Sequence, residues 1–159
     1  MGIFTYENEV ATSIPPVKFF KAFILDADQL YPKIVPSHPQ TEVLEGDGGP
    51  GTIKKISFSH GGNVISIKHR IDVVDEATLT YKYTVLEGEM FSENIEQISK
   101  EITVTAGPDG GSVLKSVATY HTKGDYQINE EKVKAGEEKG LALLKAAENY
   151  LLANPTEYN

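Results

Sequence analysis

The chain reads as an α+β protein, a run of antiparallel strands covered by one long C-terminal helix. Three observations predict this. From about residue 41 to 121, β-branched and aromatic residues alternate with polar ones between short Gly- and Asp-rich turns. From Asn129 onward the spacing turns helical, with Val133, Leu141, Leu144 and Leu151 along one stripe. Ahead of the β-rich region stand one strand and two short helical stretches. An antiparallel sheet with one apolar face must bury that face, and the long helix is the obvious cover. If the sheet curls around it, the small residues Ala135, Gly136, Gly140, Ala142 and Ala146 leave space unfilled. A large internal cavity would follow.

Each element has its own warrant. Residues 3–12 alternate as a strand. Ser13-Ile14-Pro15-Pro16 then punctuates, and a proline suits the first turn of a helix. Val17, Phe19, Phe20, Ala22 and Phe23 make that helix short and apolar. Asp26 and Gln29 have the spacing of a capping box, which starts a second short helix ending before Pro36. Turns at Gly61-Gly62-Asn63, Asp75-Glu76-Ala77 and Gly107-Pro108-Asp109-Gly110-Gly111 separate strands over 64–74, 78–86, 95–106 and 112–121. Gly88-Glu89-Met90-Phe91 is a looser connection. Strands at such short spacing imply an antiparallel meander. Asn129 is a good N-cap for the long helix, and Glu130 and Glu131 complement its dipole. Beyond Asn154 the chain meets Pro155 and is expected to fray.

Composition bounds the function. The 159 residues form one domain, 1–159, with one core. A net charge of −8 argues against nucleic acid as a partner, because phosphate backbones attract Lys and Arg surplus. There is no cysteine, which removes disulfides, thiolate catalysis and Cys-based zinc sites together. No signal peptide or membrane-length apolar run is visible, so a cytoplasmic protein without membrane contact is expected. His38, His60, His69 and His121 lack paired ligand spacing, so neither a metal nor another cofactor is expected.

One stretch mimics a nucleotide site. Gly46, Gly48 and Gly51 satisfy G-x-G-x-x-G within Glu45-Gly46-Asp47-Gly48-Gly49-Pro50-Gly51-Thr52. A dinucleotide cradle needs a helix after its glycines, since the helix N-terminus holds the pyrophosphate. Thr52-Ile53-Lys54-Lys55-Ile56-Ser57-Phe58 is a strand pattern instead. Glu45 and Asp47 would also repel phosphate. The loop with Gly46, Gly48, Gly49 and Gly51 therefore reads as a rigid structural turn.

Several motifs in order carry a resemblance over essentially the whole chain. They are Met1-Gly2-Ile3-Phe4-Thr5-Tyr6-Glu7, Phe20-Lys21-Ala22-Phe23 and the glycine loop through Lys55. A signature follows through Gly88, Phe91, Glu96, Ser99, Asp109-Gly110-Gly111-Ser112, Lys115 and Tyr120. Tyr120-His121-Thr122-Lys123-Gly124-Asp125 and Tyr150-Leu151-Leu152-Ala153 complete it. The chain resembles the plant pathogenesis-related proteins of class ten, the family of the major birch-pollen allergen. That resemblance implies a START-like helix-grip fold: a curved seven-stranded antiparallel sheet around a long C-terminal helix, with two short helices and a large apolar cavity. It implies a carrier for small amphipathic ligands such as flavonoids, cytokinins and other phytohormones, tied to defence and stress. It also implies allergenicity and a monomer, or at most a weak dimer.

The resemblance also implies site residues. The ligand-binding lining would comprise Phe23, Tyr31, Ile56, Phe58, Val64, Ser66, His69, Tyr81, Tyr83, Ile98, Ile102, Leu114, Ala135, Lys139 and Leu143. Tyr81 and Tyr83, two apart, share a strand face. Buried hydroxyls need partners, so Tyr and His projecting into one space suit a wet pocket better than a dry core. Lys139 with His69 would favour an acidic or phenolate ligand. Lys54, Glu148 and Tyr150 match positions proposed in the family for ribonuclease activity, in which a carboxylate base and a cation support 2′-OH attack. A condensing enzyme on this fold needs a cavity lysine, for which Lys139 is the one candidate. An abscisic-acid-type receptor that inhibits a phosphatase would carry a Ser-Gly-Leu-Pro-Ala gate, where this chain has Ser59-His60-Gly61-Gly62-Asn63. Ser37-His38-Pro39-Gln40 departs from the family's more apolar stretch at the cavity mouth.

Overall fold

Strand β1 (Gly2–Thr12) buries alternate residues, as a half-covered strand must. The computed structural model describes residues 2–34, 40–60, 63–88 and 94–158; at 58–60, 63, 65, 132, 136 and 139 the backbone alone is described. Six further strands follow: β2 (Gln40–Glu45), β3 (Ile53–His60), β4 (Asn63–Asp75), β5 (Thr80–Glu87), β6 (Ile95–Ala106) and β7 (Ser112–Thr122). They form one curved antiparallel sheet in the order β1-β7-β6-β5-β4-β3-β2. Register shifts at Val43/Glu45, Lys68/His69, Ile71/Val73 and Ile95/Gln97 mark bulges, which bend a sheet and steepen its twist.

The glycine loop joins β2 to β3, strand to strand. Gly46, Gly48 and Gly51 all take positive φ. At Gly46 a Cβ would stand 2.6 Å from Thr52 Oγ1 and 2.7 Å from Thr52 Cα, so only glycine fits. The loop consumes its own donors. The Gly48 N–H donates to Thr52 Oγ1 at 2.9 Å and the Gly49 N–H to the Asp47 carboxylate at 3.0 Å. The Gly51 N–H donates to the Ile71 carbonyl, and the Ile71 N–H returns a bond to the Thr52 carbonyl, each at 2.8 Å. Amides that would hold a phosphate are already engaged in closing the loop and fastening it to β4.

Helix α1 (Pro16–Phe19) opens with proline in its first turn. The one short helix expected here is α-helical only to Phe19 and continues as a π-helical turn, Phe20–Leu25, in which the Asp26 N–H reaches the Lys21 carbonyl. The wider turn inserts one residue. Phe19, Phe20 and Ala22 are thereby all sealed in the core, while Phe23 and Ile24 face the molecule's internal space. Asp26 does precede helix α2 (Ala27–Ile34), and its carbonyl accepts from Gln29 and Leu30. Its carboxylate, expected as a cap, accepts the Tyr158 hydroxyl. Residues 154–158, expected to fray, are held. Lys18 Nζ donates to the Pro155 carbonyl at 2.8 Å and Lys33 approaches Glu157 at 3.9 Å, so residues 154–158 fold back over α1 and α2.

Helix α3 (Glu130–Ala153) starts at Asn129, whose side-chain oxygen accepts the Glu131 N–H at 3.1 Å. Beneath it the core falls into two clusters. One packs Ile14, Phe19, Phe20, Leu30, Val104, Leu144, Ala147 and Leu151. The other packs Ile95, Ile98, Ala118, Tyr120 and Val133.

Candidate functional site

The space between the two clusters is where sheet and helix stand apart. On the inner face of the sheet the registers of β1, β7, β6 and β5 align side chains in rows. One row runs Asn8–Ser116–Ile102–Tyr81, the next Tyr6–Ala118–Lys100–Tyr83, and the next Phe4–Tyr120–Ile98–Val85. Opposite them α3 presents Glu137, Gly140, Leu141 and Leu143. A Cβ added at Gly140 would meet nothing within 4 Å. A pocket of about 320 Å³ results, closed on one side by Phe23, Ile24, Asp28 and Tyr31 and on another by Lys54, Ile56 and His69. A second recess of about 210 Å³ lies beyond, among Ile67, Val85, Ile98, Ala118, Tyr120 and Val133.

The lining is apolar with a few polar groups aimed inward. Tyr81 and Tyr83 have ring centroids 5.7 Å apart, and the His69 ring lies 4.6 Å from that of Tyr83. Burial, helped by Tyr83 and Asp28, pushes the Tyr31 phenol well above its ordinary range, and burial does the same to Tyr81. Burial with the nearby Glu137 charge moves Tyr83 and Tyr120 up to about 12. All four stay protonated at neutral pH and are able to donate. His69 moves the other way, down to about 4, first through burial and then through Lys54. It is a neutral imidazole near pH 7.

The formal charges at the pocket come in opposite pairs. Lys54 of β3 meets Asp28 of α2 at 2.8 Å, and Lys100 of β6 meets Glu137 of α3 at 3.4 Å. The pocket can therefore hold a mostly apolar molecule and offer phenolic donors without presenting a net charge. Such apolar walls with few polar anchors are usual for small-molecule sites.

Of the residues named from sequence, Phe23, Tyr31, Ile56, His69, Tyr81, Tyr83, Ile102, Leu114 and Leu143 line the larger pocket, and Ile98 lines the smaller recess. Three fall elsewhere. Val64 is 75% exposed, and Ser66 lies on the same outer face, its hydroxyl 3.1 Å from that of Ser57. The β3–β4 register explains both: Ile56 pairs with Ile67 inward, so the next pair, Ser57 and Ser66, points out. Ala135 is exposed, because the helix turns it away from the buried Val133. The side chains of Phe58 and Lys139 lie outside the described residues, as do positions 37–39 and the turn at 61–62. Among the described residues the lysines at the pocket are Lys54 and Lys100. Each member of the trio Lys54, Glu148 and Tyr150 engages a different partner. Lys54 pairs with Asp28 at the pocket, Glu148 approaches Lys145 along α3 at 3.9 Å, and Tyr150 donates to Glu157.

Sequence reasoning missed Asn8, Asp28, Ser116, Lys100 and Glu137 in the lining. For the last two a signal existed. Lys100 sits midway between Ile98 and Ile102, so strand alternation turns it inward, and Glu137 lies four residues from both Val133 and Leu141 on the helix stripe.

Residues 1–154 match the pathogenesis-related protein Bet v 1 family. Major allergen Pru ar 1 of Prunus armeniaca is 55% identical over 160 residues, covering all of both chains. Major strawberry allergen Fra a 1.04 of Fragaria ananassa is 55% identical over 159 residues, 99% of each. Among solved structures, that of Ara h 8.0201 superposes with a TM-score of 0.85 at 41% identity, covering 96% of this chain and 99% of the other. Norcoclaurine synthase from Thalictrum flavum superposes at 0.77 with 22% identity over 95% and 87%, a likeness of fold alone. Among the described residues no helix is long and apolar enough to cross a membrane.

Proposed function

The chain belongs to the pathogenesis-related protein Bet v 1 family, and from that premise we propose that it is a carrier of small amphipathic plant metabolites. It takes up molecules of the flavonoid, cytokinin or related phytohormone kind without turning them over, works in the cytoplasm as a monomer, and serves defence and stress responses. Like its relatives in apricot and strawberry, it is an allergen. The observation that carries the reading is the pocket between sheet and α3, where apolar walls surround the protonated hydroxyls of Tyr31, Tyr81 and Tyr83. Burying an aromatic body against Phe23, Ile56, Ile102 and Leu143 supplies affinity. The phenols and the neutral His69 fix orientation through hydrogen bonds. That Lys54, Glu148 and Tyr150 are each engaged with a different partner supports binding over hydrolysis.

Titration with a flavonoid, a cytokinin and abscisic acid, read by calorimetry, tests this. Binding of at least one in the micromolar range is expected, weakened at least tenfold by Tyr83→Leu. If none binds below roughly millimolar, where affinity is only about −4 kcal/mol, the carrier reading fails.

A further inference from the structure

The two recesses share three lining residues, Tyr83, Lys100 and Glu137. All else in their walls differs. The shared residues lie in one row and the helix above it: Tyr83 pairs directly with Lys100 across β5 and β6, and Lys100 reaches up to both Glu137 carboxylate oxygens at 3.4 Å. Among the described residues this is the one ion pair that ties the sheet to α3. Its side chains are only 23% and 12% exposed. We infer that the Lys100–Glu137 pair is a partition that sets the length of ligand the protein accepts, confining it to the larger recess.

The argument is one of chemistry at a narrow place. On one side of the pair the walls are Ile102, Leu114 and Leu143, and on the other Ile98, Ala118 and Val133. An alkyl or aryl chain gains by burial in either recess. To pass from one to the other it must separate opposite charges that are already shielded from water, leaving each unpaired in apolar surroundings. Breaking such a pair costs far more than the burial of a few methylenes supplies. Glu137 also acts on the tyrosines of both recesses, since its charge raises Tyr83 and Tyr120 alike. A singly charged ligand fares no better at this place, because an anion meets Glu137 and a cation meets Lys100.

The inference rests on the carrier reading, and its test separates the two. Unbranched para-alkylphenols from ethyl to dodecyl are titrated into the wild type. Also titrated are the double variant Lys100→Ala with Glu137→Ala and the charge-swapped variant Lys100→Glu with Glu137→Lys. Thermal melts confirm that each is folded. In the wild type each added methylene tightens binding by about fourfold (~0.8 kcal/mol) until the larger recess is full, then the gain stops. In the alanine double variant the gain continues over several more methylenes, and the longest chain binds at least tenfold tighter than to the wild type. The charge-swapped variant restores the wild-type limit. A common limit in wild type and alanine variant overturns the partition but leaves the carrier reading standing, as does a charge-swapped variant that behaves like the alanine one. If no phenol binds the wild type, the partition is overturned, while the carrier reading is decided by the flavonoid, cytokinin and abscisic acid titrations.

Discussion

The two halves of helix α3 share one backbone and do opposite work. The C-terminal half sends Leu144, Ala147 and Leu151 into a sealed cluster with Phe19, Phe20 and Leu30, where exposure is 3% or less. The stretch from Glu137 to Leu143 offers Glu137, Gly140, Leu141 and Leu143 to open space, with Leu144 bordering both. The apolar stripe runs through both. What differs is the partner. The π-turn after α1 pushes two phenylalanines against the C-terminal half. Against the other half the curved sheet presents Tyr81, Tyr83 and Lys100, whose polar tips resist close packing. The same helix thus puts contact energy into stability at one end and leaves space unfilled at the other.

Truncation at the two ends makes the contrast measurable. Leu151→Ala leaves a cavity in the sealed cluster and should cost about 3 kcal/mol in urea unfolding. Leu143→Ala removes a side chain that already borders a void and should cost less than about 1 kcal/mol. Equal losses would mean that the pocket half is packed as tightly as the other. A second contrast lies in pH. His69 is held down to about 4, first by burial and then by Lys54, so the unfolded chain binds its proton more readily. Stability is therefore full above about pH 6.5 and is lost as pH falls towards 4, by about 2–3 kcal/mol at pH 4.5. His69→Asn should flatten that part of the wild-type slope. An unchanged slope would place the loss on other groups. The smallest effect is Gly140→Ala. Its Cβ enters open space, and alanine suits a helix interior better than glycine, so stability should rise by about 0.5–1 kcal/mol. The pocket shrinks at the same time, and any bound flavonoid should weaken. A loss of stability would show that helix and sheet already touch at that point.

Much of the fold is legible in the sequence, for definite reasons. The strands of the meander announce themselves by alternation, and the long helix by its cap at Asn129 and its stripe. The glycine loop is readable because a strand pattern follows Thr52. Side-chain direction is harder. Val64 and Ser66 look like lining residues, yet their facing depends on the pairing of Ile56 with Ile67, which is a cross-strand register and not a local pattern. Lys100 and Glu137 have the right spacing to face inward, but a charge on an apolar stripe reads as a surface residue until its partner is known. The π-turn has no sequence mark at all. It follows from the tertiary demand that Phe19, Phe20 and Ala22 all be buried.

The fold-back of the chain's last residues has a consequence for synthesis. Gly2 pairs with Thr122, Lys18 with Pro155, and Asp26 with Tyr158, so the earliest elements find their partners among the latest. While a ribosome is still making α3, β1 has only just gained its neighbour and the π-turn still lacks its lock. Contacts so distant in sequence form slowly. The apolar inner face of the sheet stands open throughout that interval, and cellular holding factors would meet it first.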